Sequence, residues 1–235
     1  MEKRAPPHSG QQPPPGRVLR DVPYYGQTRR FSCGPSSLIM VMRALAPDLE
    51  VQRALELELW REATTIHGGC GPLGLALALW RRGFAAKVWI SHDGLFLAGR
   101  ANDAVERETM QVLQERDLAE AARRTLPVTI GTAARPDLEP YLASGWLPIV
   151  LVNIDFEGRN ITHWVVVTGY EPDAFYVNDP LVDGRSKGAD RKGSALRIEK
   201  SAFERWARFG PDQERAVVLA GPRGLQASTA ADYKA

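Results

Sequence analysis

A cysteine stands where a helix has to begin. Residues Gln27-Thr28-Arg29-Arg30-Phe31-Ser32 run into Cys33-Gly34-Pro35-Ser36-Ser37, and then into the unbroken apolar run Leu38-Ile39-Met40-Val41-Met42. Pro35 suits a first helical turn, where its missing N–H would have no partner in any case. The pattern predicts a helix from Cys33 to Leu45, stopped near Pro47. Its unpaired N–H groups and its dipole favour a thiolate over a thiol at Cys33. Gln27, six residues ahead, can bring a side-chain amide to the same point and donate to a developing oxyanion.

The matching groups lie far downstream. Trp146 to Ile154 is a near-continuous apolar run that reads as a buried strand, and Asp155 to Asn160 supplies hairpin-turn chemistry. His163 opens the next apolar strand, His163-Trp164-Val165-Val166-Val167, and Asn178-Asp179-Pro180 closes the one after it. A cysteine at a helix start, a histidine at a strand start and a carboxylate one strand on form a nucleophile, a base and an orienter. Each has a plainer reading. Cys33 can be a small buried hydrophobe, His163 a strand-end residue held by a backbone carbonyl, and Asp179 a turn former. Their joint presence favours chemistry. Asn178 is a weaker candidate orienter, and Asp155 and Asp173 read as ordinary turn acids.

The rest of the chain gives helices first and strands later. Val18 to Tyr25 reads as an edge strand. Leu49 to Trp60 reads as a helix with Glu56, Glu58 and Glu62 on its wet side. Pro72 to Arg82 reads as a buried helix and Ala85 to Ser91 as a short strand. Asp103 to Arg124 is a mixed-charge helix, Val128 to Ile130 a strand or linker, and Asp137 to Ser144 a compact helix. The stretch opened by His92 and Asp93 has no clear pattern. Leu196 to Ile198 and Arg215 to Ala220 read as strands, with a short helix capped by Ser201 between them. This order is α+β.

A length of 235 residues fits one domain over 18–220, between a disordered Pro-rich tail at 1–17 and a polar tail at 221–235. The formal net charge of +2 argues against a nucleic-acid or membrane-surface platform. No run approaches the ~18 apolar residues of a membrane helix, and the N-terminus has no signal-peptide core, so the expected location is cytoplasmic. The two cysteines, Cys33 and Cys70, fit neither a disulfide scaffold nor a metal spacing, so no metal or cofactor is expected. Cys70 lies in Gly68-Gly69-Cys70-Gly71-Pro72, a superficially similar context, but Thr64 stands where a glutamine would be needed. It reads as structural, and a Cys33–Cys70 disulfide would silence the nucleophile. His67, in a turn, reads as polar surface.

Taken together, Gln27 with Cys33, Gly34-Pro35 opening a helix, His163 before Trp-Val-Val-Val, and Asn178-Asp179-Pro180 make the chain resemble the papain-like cysteine peptidases. It resembles more closely the bacterial peptidases that remove double-glycine leaders from bacteriocins. The resemblance covers roughly residues 18–220. It implies a papain-like α+β fold, with a helical N-terminal half packed against an antiparallel C-terminal sheet and a cleft between them. It also implies Cys33 as nucleophile, His163 as base, Asp179 as orienter and Gln27 as oxyanion donor. Ser32 stands where the leader peptidases often carry an acid, and the chain has no membrane helices or nucleotide-binding domain. It thus also looks like soluble stand-alone relatives, some joined to an acetyltransferase domain. The implied partners are a peptide or peptide-like substrate and an acetyltransferase-type enzyme. Three functions fit these residues: a peptidase or amidase, a cysteine acyltransferase of the same fold, and a catalytically silent peptide-binding module. The loops at 60–71 and 180–193 would set specificity.

Overall fold

Long apolar runs with a β-branched bias pair into a sheet, and here they fix its centre. The computed structural model describes residues 16–52, 54–131, 136–156, 159–181, 193–210 and 212–224. Strands β4 (Leu147–Phe156) and β5 (Arg159–Tyr170) form an antiparallel pair in which Val152 faces His163 and Leu151 faces Trp164. Both strands run into the turn expected over Asp155 to Asn160, pairing Asp155 with Asn160 and Phe156 with Arg159. Beyond β5 come β6 (Ala174–Asn178) and β7 (Leu196–Glu199), both antiparallel.

The sheet is wider than the sequence pattern implies. On the other side of β4 lies β8 (Ala216–Arg223), and beyond it β2 (Phe84–Ile90) and β3 (Val128–Ile130) from the first half of the chain. The β2–β3 pair is parallel, because α4 (Ala104–Arg123) carries the chain back between them. The order is therefore β3-β2-β8-β4-β5-β6-β7, with the two-residue β1 (Val18–Leu19) paired to the end of β5. The edge strand expected over 18–25 shrinks to these two residues.

Helix α1 (Cys33–Leu45) starts at the cysteine. Its residues from Gly34 to Met42 are all buried, so it is a central helix rather than an amphipathic surface one. It packs on β5 and against α2 (Leu55–Ala63) and α3 (Pro72–Arg81). Leu38, Ile39, Met40, Val41 and Met42 are fully buried, which at about 1.5–3 kcal/mol per large apolar side chain anchors the start of the helix firmly. Gly74 of α3 lies so close to α2 that an added Cβ would stand 2.7 Å from the Cα of Ala63. Helix α4 is mostly exposed, burying only Met110, Asp117 and Ala121, and is capped by Asp103 accepting from the Glu106 N–H at 2.8 Å.

Two small helices complete the fold. Helix α5 (Glu139–Ala143) precedes β4, and α6 (Lys200–Trp206) follows β7 directly, so Ser201 lies inside it rather than capping it. Strand β8 runs on to Arg223, past the expected boundary at 220. The N-terminal tail through residue 15, most of the loop at 180–193 and the tail from 225 lie outside the described residues. No helix among the described residues is long and apolar enough to cross a membrane.

Candidate active site

The first turn of α1 is built to approach its neighbours closely. A Cβ on Gly34 would meet Leu75 at 3.0 Å and the Cys70 side chain at 3.2 Å, so glycine lets the helix start nestle against α3 and the Cys70 loop. Strand β5 is tied to the same place from the other side. Ser37 Oγ donates to the Trp164 carbonyl at 3.2 Å, and the Trp164 indole N–H donates to the Cys70 carbonyl at 3.1 Å. These ties set His163, the neighbour of Trp164, against the half-buried Cys33.

His163 is only 2% exposed, and its Nε2 is 2.6 Å from Asp179 Oδ1. That pairing leaves Nδ1 for the cysteine. Asp179 follows the end of β6 and is held by a tight local net. Its Oδ1 also accepts from the Leu181 N–H at 2.8 Å, its own N–H donates to Gly193 O at 2.7 Å, and Tyr24 Oη donates to its carbonyl at 2.9 Å. A Cβ on Gly193 would collide with the Asp179 carbonyl and stand 2.6 Å from Tyr24 Oη.

The electrostatics follow from these contacts. Burial alone would push the Cys33 thiol up. The charge of the His163 ring, hydrogen bonding from it, and the backbone N–H groups of Trp164 and Gly34 instead hold the thiol below its ordinary value. Burial would likewise depress His163, yet the Cys33 charge and the Asp179 hydrogen bond raise it to about 10. Both shifts favour a thiolate beside an imidazolium. Cys70 is the opposite case: it is 4% exposed, and burial together with the neighbouring Cys33 charge pushes its thiol far up. Both thiols are free.

The structure thus brings Cys33, His163 and Asp179 together. Gln27 is placed differently. Its backbone N–H donates to the Pro180 carbonyl at 2.8 Å, beside Asp179, but its side-chain amide turns back to donate to Arg29 O at 2.8 Å. Its Oε1 is buried without a partner among the described residues. Asn178 does not face the histidine; its amide donates to Val22 O at 3.2 Å and its carbonyl accepts from the Ala195 N–H at 2.8 Å. His67 is exposed and pairs with Glu106 at 3.1 Å, and Asp173 pairs with Arg197 at 2.7 Å.

Two residues near the site escape sequence reasoning. Glu56, expected on the wet side of its helix, is 2% exposed. Its carboxylate accepts from Ser32 Oγ at 2.5 Å, the Thr28 N–H at 2.8 Å, Thr28 Oγ1 at 2.7 Å and Tyr25 Oη at 3.1 Å. The signal was its spacing: Leu59 and Ala63 stand three and seven residues on and share its buried helix face. The other residue is Arg100, in the stretch with no readable pattern; its guanidinium lies over Gly69. Among the described residues, no group of three His, Cys, Asp or Glu side chains is placed to hold a metal ion.

No curated protein matches the chain. A double-glycine motif protease from an AMS/PCAT transporter, solved with its leader peptide, is similar over 90% of this chain and 99% of that one, at 16% identity and a TM-score of 0.45. A protein described as a C39-like peptidase from Bacillus anthracis is similar over 88% and 98% at 14% identity, TM-score 0.44. The peptidase domain of Streptococcus ComA, a bifunctional ABC transporter involved in quorum sensing, is similar over 85% and 97% at 16% identity, TM-score 0.43. A family model, that of the peptidase C39-like family, matches residues 22–221, nearly the whole of the chain outside its tails. The chain belongs to the peptidase C39-like family.

Proposed function

We propose that the protein is a cysteine peptidase or amidase that cleaves a peptide or peptide-like amide. The observation that carries this reading is the alignment of Cys33, His163 and Asp179 at one point, with both shifts favouring the ion pair. In the reaction the Cys33 thiolate attacks the amide carbonyl carbon, forming the S–C bond and moving the C=O π pair onto oxygen. The Cys33 N–H, one of the unpaired donors of the α1 start, faces that oxyanion. Gln27 has one amide hydrogen beyond the one given to Arg29 and is the second donor.

As the tetrahedral intermediate collapses, the C–N bond breaks and His163 gives its proton to the departing amine. Water then attacks the thioester, His163 takes its proton, and the C–S bond breaks to free the acid and restore the thiolate. Asp179 holds the imidazole by Nε2 throughout, which keeps Nδ1 toward the sulfur.

The test is the rate of Cys33 alkylation by iodoacetamide across pH 4 to 9, read by mass spectrometry separately from Cys70. Fast labelling well below the ~8.5 of a free thiol, lost in His163→Ala, is expected. Labelling that rises only near that value in the wild type overturns the reading.

A further inference from the structure

Arg100 carries a positive charge beside the site, and no carboxylate among the described residues pairs with it. Its guanidinium lies on the backbone of Gly69, where an added Cβ would come within 2.8 Å of Cζ and 3.0 Å of Nη2. Gly69 adjoins Cys70, whose side chain lies 3.2 Å from where a Cβ on Gly34 at the start of α1 would stand, and the Cys33 thiolate is the charge that acts on Arg100. Some arginines here pair with acids, Arg81 and Arg82 with Glu62 and Arg197 with Glu171 and Asp173, and others donate to backbone carbonyls, as Arg20 does to Leu142 O at 2.6 Å. Arg100 has no carboxylate or hydrogen-bond acceptor among the described residues. The acids nearest in sequence are engaged elsewhere: Asp103 caps α4 by accepting from the Glu106 N–H at 2.8 Å, and Glu106 is turned to the Asn102 N–H at 2.7 Å and to His67 at 3.1 Å.

The placement is anchored. The turn Ala98–Arg100 follows Phe96 and Leu97, both buried. The Leu97 N–H donates to the buried Glu214 carboxylate at 2.8 Å, and the Phe96 N–H to Gln114 Oε1 at 2.8 Å. Glu214 also holds His92 at 2.9 Å. A half-buried guanidinium held in this way, with its donors unused among the described residues, has the geometry to receive a carboxylate in a bidentate pair.

Resting on the reading of Cys33 as the nucleophile, we infer that Arg100 is a specificity residue that binds a carboxylate of the substrate next to the scissile amide. The substrate class is thus a peptide or acyl-amino compound with an acidic side chain or a terminal carboxylate at that position.

The experiment compares Cys33 alkylation by iodoacetate, which carries a carboxylate, with iodoacetamide, which is neutral and nearly the same size. In both, the thiolate displaces iodide, which leaves with the C–I electron pair. The iodoacetate-to-iodoacetamide rate ratio is expected to fall about tenfold in Arg100→Ala, the scale of a hydrogen bond to a charged group, and to stay closer to wild type in Arg100→Lys. Gly69→Ala, which keeps the charge but drives the guanidinium off the backbone, is expected to lower the ratio as well. An equal fall in both rates, leaving the ratio unchanged in Arg100→Ala, means that Arg100 only tunes the thiol and overturns the inference. A Cys33 that neither reagent modifies overturns the nucleophile reading and the inference with it. Protection of Cys33 by N-acetyl-glutamyl amide or by N-acetylglycine then identifies a side-chain or a terminal carboxylate respectively. Protection by neither, or protection that survives in Arg100→Ala, overturns it.

Discussion

Glu56 accepts a 2.5 Å hydrogen bond from Ser32, the residue immediately before the candidate nucleophile Cys33. The same carboxylate gathers Thr28 and Tyr25, so the whole approach to α1 is folded around one buried negative charge. Burial would raise its pKa, but the hydrogen bonds from Ser32, Thr28 and Tyr25 hold it below its ordinary 4.5.

Glu56→Ala leaves the Thr28 N–H without its acceptor and the Ser32 hydroxyl with only the Arg29 carbonyl at 3.0 Å. An orphaned group costs about 1–3 kcal/mol, so a marked fall in melting temperature is expected, with slower Cys33 labelling in the protein that still folds. Calorimetry and timed alkylation check both effects.

The same residue sets a pH dependence. A carboxylate with a depressed folded pKa adds stability that is present above its unfolded value of 4.5 and is lost as pH falls through the folded one. Scans between pH 3 and 7 should therefore show a steeper acid loss of melting temperature in the wild type than in Glu56→Gln.

Asp179→Asn keeps an oxygen near His163 but removes the charge that supports the imidazolium. The ion pair exists above the lowered pKa of Cys33 and below the value of about 10 for His163. Losing Asp179 lowers the upper edge of that window, so the alkylation plateau should end at lower pH than in the wild type. Turnover, once a substrate is in hand, should fall by about 10²-fold.

Gly193→Ala tests the support beneath the orienter. Its Cβ would collide with the Asp179 carbonyl, a backbone atom that cannot swing aside, so the turn must move. Labelling of Cys33 should slow toward the Asp179→Asn level while the melting temperature drops by only a few degrees. Unchanged labelling would show that the turn tolerates the displacement.

The site was legible wherever a residue type sat at an element boundary. Pro35 and the apolar run after it place the helix start, and so Cys33; the Val-rich run places β5, and so His163; Asn178-Asp179-Pro180 marks the end of β6. Long-range partners were not legible in this way. In Leu55-Glu56-Leu57-Glu58, alternation suggests wet acids, and only the Ser32 and Thr28 donors from another segment make burial of Glu56 tolerable. Gln27 shows the same limit: its spacing from Cys33 is in the sequence, but the turn of its amide toward Arg29 is a rotamer choice. Strand order is also hidden, because the pattern of Ala216–Arg223 says that it is a buried strand and not which strands flank it.

That last strand has a consequence for how the protein is made. Strand β8 lies between β2 and β4, so until residues 216–223 are available the sheet exists as two unconnected pieces. A chain emerging from the ribosome can close the β4–β5–β6 meander early and pack α1 on β5, but it cannot yet join that meander to β2 and β3. The sheet would then be complete only after synthesis has passed the final strand, and until that point α1 and β5, which carry Cys33 and His163, would rest on a sheet still open along its β4 edge.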